Sequence, residues 1–193
     1  MLTQLSSLKA RLAIPEADST HNQLLTALIA AASAHFESRC GRVFGRASNA
    51  ADEFDASAMN VCLRRYPVES VQRFEVKTDE AEGWIEQTVT GWLVREGCVL
   101  SLAAPLGDAG QWARVTYAGG YVLPGTGAEP GQTALPGDLE QAVLEHTACW
   151  FTNRDKLGLH RNWPTNGTFQ VFSQLPLLPW VREVLRGYAR WEF

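Results

Sequence analysis

The segment from Asp18 to Gly41, DSTHNQLLTALIAAASAHFESRCG, constrains the fold more than any other part of the chain. Leu25, Leu28, Ile29, Ala32 and Phe36 recur at three- and four-residue spacing, which gathers them on one face of a helix. Asp18, Ser19 or Thr20 can cap its start, with Thr20 and Gln23 at the spacing of a capping box. Gly41 stands where a left-handed residue would close the C-terminus. Three other segments share the helical period. Leu5, Leu8 and Leu12 fall on one face of a first helix that Pro15 stops. Asp138, after Leu135-Pro136-Gly137, opens a helix with Leu139, Ala142, Val143, His146, Cys149 and Trp150 inward, and Lys156-Leu157-Gly158 closes it. From Leu175 to Phe193, Leu177, Val181, Val184, Tyr188 and Trp191 line one side of a terminal helix. Arg182, Arg186 and Arg190 repeat every four residues on another.

After Gly41 the period shortens. Val61 and Leu63 precede a break at Tyr66-Pro67, and GWIEQTV, GWLVREGCVLSL and QWARVTYAGGYV alternate in short pieces. Glu96-Gly97 has the chemistry of a hairpin turn. GTFQVFS supplies one more short extended segment. Residues 119–137, rich in Gly and Pro, form a loop long enough to reach a partner. The expected fold is α+β and mainly α: a long-helix bundle with an inserted small antiparallel β-sheet and a C-terminal helix. Residues 1–173 make a single domain with helices at 3–14, 18–40 and 138–155, a β-rich insert at 42–121 and the loop at 119–137. Residues 174–193 form the terminal helix.

A chain of 193 residues that is 46% hydrophobic and 20% charged can bury a real core. It has no apolar run long enough to span a membrane and no secretory signal at its start. Cys40, Cys62, Cys98 and Cys149 lack CxxC pairing and read as reduced thiols. A net charge of −4 argues against a broad basic surface that grips nucleic acid. The acids crowd between Ala47 and Thr90, where the plainest reading is a solvated face.

His146 and Cys149, three apart, with His160 nearby, raise the question of a metal-dependent enzyme. Zinc needs three or four ligands of matched softness, usually paired locally. His146 and Cys149 instead sit in an apolar stripe, and a core thiol beside a buried, hydrogen-bonded histidine is the simpler reading. GxSxG, HExxH and P-loop signatures are all missing. The residues give no catalytic site, no metal site and no cofactor. The seven tryptophans say more. Trp84, Trp92, Trp112 and Tyr121 fall in the strand region, and strands with large aromatics on both faces suggest that one face is covered by another chain.

The order of pieces resembles the head–tail connector (adaptor) proteins of tailed bacteriophages along nearly the whole chain. The long helix ends in Gly41-Arg42. Pro67-Val68-Glu69-Ser70-Val71 follows, and then Tyr117-Ala118-Gly119-Gly120-Tyr121 with one extra glycine. A helix ending in Phe151-Thr152-Asn153-Arg154 comes next, and LPWVREVLRGYAR closes the chain. The middle is longer than in compact members, and TGAEPGQTA is an insert. The resemblance implies a structural virion protein of the neck, assembled from host cytoplasm and dodecameric in the family. Such a ring lies under the portal protein, extends the DNA channel and receives a stopper or tail-completion protein. DNA would pass without specific binding. Asp52, Glu53, Asp55, Asp79, Glu80 and Glu82 are then expected to face the channel, because like charge repels the phosphate polymer from the wall. Trp84, Trp92, Trp112 and Tyr121 are expected at the subunit interface. Leu177, Trp180, Val181, Arg182, Val184, Arg186, Tyr188, Arg190 and Trp191 are expected to dock on the portal. The runners-up are a stopper or tail-completion protein and, more remotely, a small cytoplasmic enzyme using His146, Cys149 and His160 with a metal.

Overall fold

The apolar period at the start of the chain becomes two helices, α1 (Leu5–Arg11) and α2 (Asn22–Cys40). The computed structural model describes residues 1–156, 161–162, 170–171 and 177–190. The chain divides into a helical unit, Met1–Phe36 with Pro136–Tyr188, and a β unit, Glu37–Leu135 with Ala189–Phe193. The boundary falls within α2.

Capping at the two ends of α2 differs. Thr20 lies outside the helix, where its N–H donates to the Asp18 carboxylate at 2.9 Å in an Asx turn. The first helical bond runs from Leu25 N–H to His21 O, so the capping box expected at Thr20 and Gln23 is not the start. At the other end Gly41 has φ of 62°. Gly41 N–H donates to Ser38 O at 3.3 Å and Arg42 N–H to Glu37 O at 3.2 Å, the paired bonds of a Schellman closure. Only a residue free of a Cβ takes that φ without strain.

The helical unit also holds α3 (Gly137–Thr152) and α4 (Pro179–Arg186). Pro136 occupies the N-cap position of α3. Asp138 is therefore not the cap: it sits in the first turn, where its carboxylate accepts from Leu139 N–H and from the Tyr188 hydroxyl. Leu8, Leu25, Ile29, Ala148 and Phe151 share one core, with Leu5, Leu12, Leu28 and Leu144 packed around it. Val181 and Leu185 bury the inner side of α4 in the same unit, and Leu177 just before it is buried as well. Lys9 is buried, and its ammonium donates to the Glu16 and Asp18 carbonyls at 2.8 and 2.7 Å, which ties down the link between α1 and α2. Arg11 and Glu145 pair through two bonds of 2.6 and 2.7 Å, half exposed and therefore of small worth in stability.

The β unit carries β1 (Ala47–Asp55), β2 (Asn60–Cys62), β3 (Val68–Lys77), β4 (Ile85–Gln87), β5 (Trp92–Arg95), β6 (Val99–Leu102), β7 (Trp112–Gly119), β8 (Tyr121–Val122) and β9 (Thr133–Ala134). An antiparallel sheet in the order β1-β7-β3-β4 faces a three-stranded one, β2-β6-β5, and β8 pairs with β9 in parallel. Phe54, Phe74, Val76, Val115 and Tyr117 from the first sheet share a core with Val61, Leu100 and Leu102 from the second. Glu96 and Gly97 both have positive φ, 51° and 68°, and join β5 to β6 as the expected hairpin turn. Gly119 and Gly120 are required sterically. A Cβ on Gly119 would lie 2.8 Å from Arg65 O, and one on Gly120 2.8 Å from Gly45 O. In the helical unit, Gln170–Val171, from the segment expected to be extended, pairs with Arg161–Asn162; the rest of GTFQVFS lies outside the described residues.

The expectation of a mainly α long-helix bundle is overturned. Among the described residues strand makes up about 27%, in several antiparallel sheets, against four helices. The reason is pairing across sequence. β7 is the central partner of both β1 and β3, and pieces of three or four residues such as β2, β4, β5 and β6 are held mainly by such partners. Strand preference of this kind lies in the neighbours rather than in the local sequence.

Candidate functional site

His146 and Cys149 stand on α3, and the third histidine once considered with them, His160, lies outside the described residues. His146 is only 1% exposed, with ring centroids 4.6 Å from Trp150, 5.6 Å from Phe36 and 6.5 Å from His35. The expected hydrogen bond is not there: neither ring nitrogen has a partner among the described residues. Burial, with a smaller push from the His35 charge, drops the imidazole to a pKa of about 4, so it is neutral at ordinary pH. Cys149 is half-buried and accepts from Asn153 Nδ2 at 3.5 Å. Among the described residues no group of three or more His, Cys, Asp or Glu side chains is placed to hold a metal ion.

The acids of the β unit separate by strand parity. On β1 the inward positions are Ala50, Asp52 and Phe54, and the outward ones include Glu53 and Asp55. Asp52 is buried: its Oδ2 accepts from the Tyr117 hydroxyl at 2.7 Å and from Arg64 N–H at 2.6 Å. The Tyr117 oxygen in turn accepts from Arg65 N–H at 2.9 Å. Burial and the neighbouring carboxylate push the Tyr117 phenol well up, so it remains a donor. Asp52 thus serves as an internal tie between β1, β7 and the Arg64–Arg65 segment. Glu75 is likewise buried, clamped by Arg114 at 2.9 and 3.0 Å, and that clamp lowers its pKa.

Of the remaining acids, Glu53 is in register with Arg114 inside the sheet, and Asp55, Asp79, Glu80 and Glu82 lie toward one end of it. Asp55 is in register with Trp112, and Trp112 with Lys77 on the other side. The β3–β4 turn follows directly, with Asp79, Glu80 and Glu82 exposed. Asp79 accepts from Ala81 and Glu82 N–H, both at 2.8 Å, which shapes the turn, and Glu80 reaches Lys77 at 2.6 Å. Asp55 is held below the usual carboxylate range by Ser57 and by Gly110 N–H. Trp112 is 55% exposed amid these acids.

Trp92 is exposed on β5, one edge of its sheet, with its ring 6.2 Å from Phe74; Leu93 beside it and Ile85 on edge strand β4 are exposed too. Trp84 is half-buried under the Arg114 guanidinium, 4.2 Å from its ring. Tyr121 is half-buried with Arg42 5.3 Å from its ring. Sequence reading has Arg42 only in the Gly41-Arg42 pair that ends the long helix, with no site role. Its guanidinium also lies 3.2 Å from the Tyr66 ring and 4.8 Å from Phe44, and no local pattern signals a buried arginine among aromatics.

The tail residues part company. Leu177 and Val181 are buried in the helical unit, Val184 and Tyr188 are half-buried, and Trp180, Arg182 and Arg186 are exposed. Helix α4 ends at Arg186, so Arg190 does not extend its basic row. Arg190 belongs to the β unit, where its N–H donates to Cys40 O at 2.7 Å and its guanidinium to Cys62 O. Trp191 lies outside the described residues.

The fold of the chain is similar to that of chains in two solved particle structures. One similar solved structure is a chain in the neck of an empty gene transfer agent particle, with a TM-score of 0.61 at 16% identity over 97% of this chain and 89% of that one. A second is a chain in the virion of a native gene transfer agent particle, with a TM-score of 0.59 at 17% identity over the same shares of both chains. No protein-family model and no curated protein matches the sequence. The resemblance to head–tail connectors drawn from motifs is thus matched at the level of fold.

Proposed function

We propose that this chain is a structural subunit of the neck of a phage-like particle, forming a ring beneath the portal that joins the DNA-filled head to the tail. The observation that carries the reading is the near end-to-end fold match to a chain of a gene transfer agent neck. The exposed edges support it. A row of unpaired strand groups beside Ile85, Trp92 and Leu93 suits a second copy, and a head-to-tail contact closes into a ring when the rotation per subunit is right. Trp112 and the half-buried Trp84 and Tyr121 belong to the same proposed interface, and the family's number of copies is twelve.

In this reading DNA passes without specific binding along a wall formed by Glu53, Asp55, Asp79, Glu80 and Glu82. Asp52 is left out because its carboxylate is used inside the unit. The tail docks on the portal through what α4 leaves outside, Trp180, Arg182 and Arg186, while its apolar side stays in the helical unit. A stopper or tail-completion protein binds the opposite face of the ring. The chain acts by assembly, without a reaction.

Adding purified chain to portal-bearing heads that lack a neck, followed by electron microscopy, tests this. The expected result is a ring of copies directly under the portal. Attachment only to particles that already carry a ring would make the chain a stopper or tail-completion protein. Failure to bind any head or tail intermediate would remove the neck reading.

A further inference from the structure

The C-terminal turn of α2 borders a recess of about 550 Å³ in the β unit, lined by Glu37, Gly41, Arg42, Arg64 and Arg190 among others. Three arginines and one carboxylate are among its lining residues. That carboxylate is already engaged, since Glu37 Oε1 accepts Phe44 N–H at 3.0 Å. None of the three arginines forms an ion pair among the described residues. Arg190 is anchored by the Cys62 and Cys40 carbonyls. Arg42 is only 2% exposed, fixed by the Tyr66 carbonyl and ring, and its Nε has no hydrogen-bond partner. Arg64 is exposed, with its backbone N–H held by Asp52. A buried guanidinium with an unused donor, and two more arginines beside it without ion pairs, is an arrangement whose charge is not fully matched among the described residues.

We infer that this recess binds a carboxylate from an acidic segment of a partner protein. Guanidinium forks match the two oxygens of a carboxylate, and a site already fixed by backbone carbonyls loses little freedom on binding. Duplex DNA fits the recess less well. It brings a charge about every 1.7 Å along its axis, against a chain of net charge −4 whose other exposed acids would repel it. A single carboxylate on a short segment meets the local positive charge and little of that repulsion. The inference does not depend on the neck reading, since it concerns only what the recess accepts.

The test is NMR titration of the full chain with an end-blocked, glutamate-containing hexapeptide, following the Gly41 amide and the arginine Nε–H signals. Inorganic phosphate and a short duplex serve as separate arms. Saturable shifts at Gly41 and the arginines are expected with the peptide. R64Q, at an exposed position that leaves the fold intact, should weaken binding about tenfold through loss of a charge-assisted bond. E37Q keeps an oxygen for Phe44 N–H while removing the one negative lining group, and should tighten binding about two- to fivefold. Peptide shifts that do not saturate, or affinity unchanged in both variants, would overturn the proposal. Tighter saturation of these same signals by phosphate or duplex would overturn it too, by making the recess a phosphate site.

Discussion

The helical unit and the β unit treat their large apolar side chains differently. In the first, Leu8, Leu25, Ile29, Phe36, Leu139 and Val143 are fully buried, and the outlying large apolar groups among the described residues, Met1, Leu24 and Trp180, stand at the chain start and on two different helices. In the second, Ile85, Trp92 and Leu93 lie on edge strands, and Trp112 lies at the end of a sheet among carboxylates. Scattered exposed side chains need no explanation, but aromatics on open edges mark places where another chain can continue the sheet. The contrast suggests that one unit is finished by its own folding and the other by assembly. Substitutions in the two should therefore fail in different assays.

The largest effect is expected from Phe36→Ala, which empties a fully buried site next to His146. It should cost about 3–5 kcal/mol, read as a lower denaturant midpoint at unchanged slope. A loss below 1 kcal/mol would mean that the helical unit is not closed in the sense drawn above.

The buried His146 should make stability depend on pH. Its folded pKa of about 4 lies below its ordinary 6.5, so the unfolded chain binds the proton more readily. Stability is therefore full above about pH 6.5, declines as the pH falls, and stops declining below about pH 4. The total loss from this group is about 3 kcal/mol. His146→Phe, set beside Phe36 and Trp150, should flatten that part of the curve. A retained slope would assign the dependence to other groups.

In the β unit, Tyr117→Phe removes the hydroxyl that donates to buried Asp52 and accepts from Arg65 N–H. Asp52 then keeps only the Arg64 N–H bond, and a cost of about 1–3 kcal/mol is expected in chemical unfolding. No change would show that this tie is dispensable to the unit.

Parts of these two units could be read from the residues and parts could not. The apolar stripe of α2 and its Gly41 closure are local, as is the positive-φ turn at Glu96-Gly97, and a local pattern suffices for each. The size of the β unit was hidden because β1 meets β7 some sixty residues later and several strands are only three or four residues long. Asp52 was grouped with solvated acids by composition. Its alternation with Ala50 and Phe54 already placed it on their inward face, and that signal could have been used. The α3 start was misassigned because Asp138 is a good cap by type, while Pro136 sets the extended backbone one residue before Gly137. The arginine recess left no trace at all: its members come from three separate segments, and only folding brings them together.

The smallest effect on stability is expected at Trp112, and it is the sharpest test of the contrast. Trp112 begins β7, in register with Asp55 and Lys77, and more than half of its surface is open. Replacing it by Ala removes few internal contacts, so the unfolding midpoint should move by no more than about 0.5 kcal/mol. If exposed aromatics are completed by a neighbouring copy, the same change should abolish or strongly weaken ring formation on portal-bearing heads, since aromatic anchors carry a large share of interface energy. Glu53→Gln, two residues further into the sheet, polar and outward, serves as the control and should leave rings intact. Native mass spectrometry and electron microscopy of the two variants decide the matter. Normal rings with Trp112→Ala would move the contact to the edges bearing Ile85, Trp92 and Leu93, whereas a large stability loss would mean that this tryptophan belongs to the β core after all.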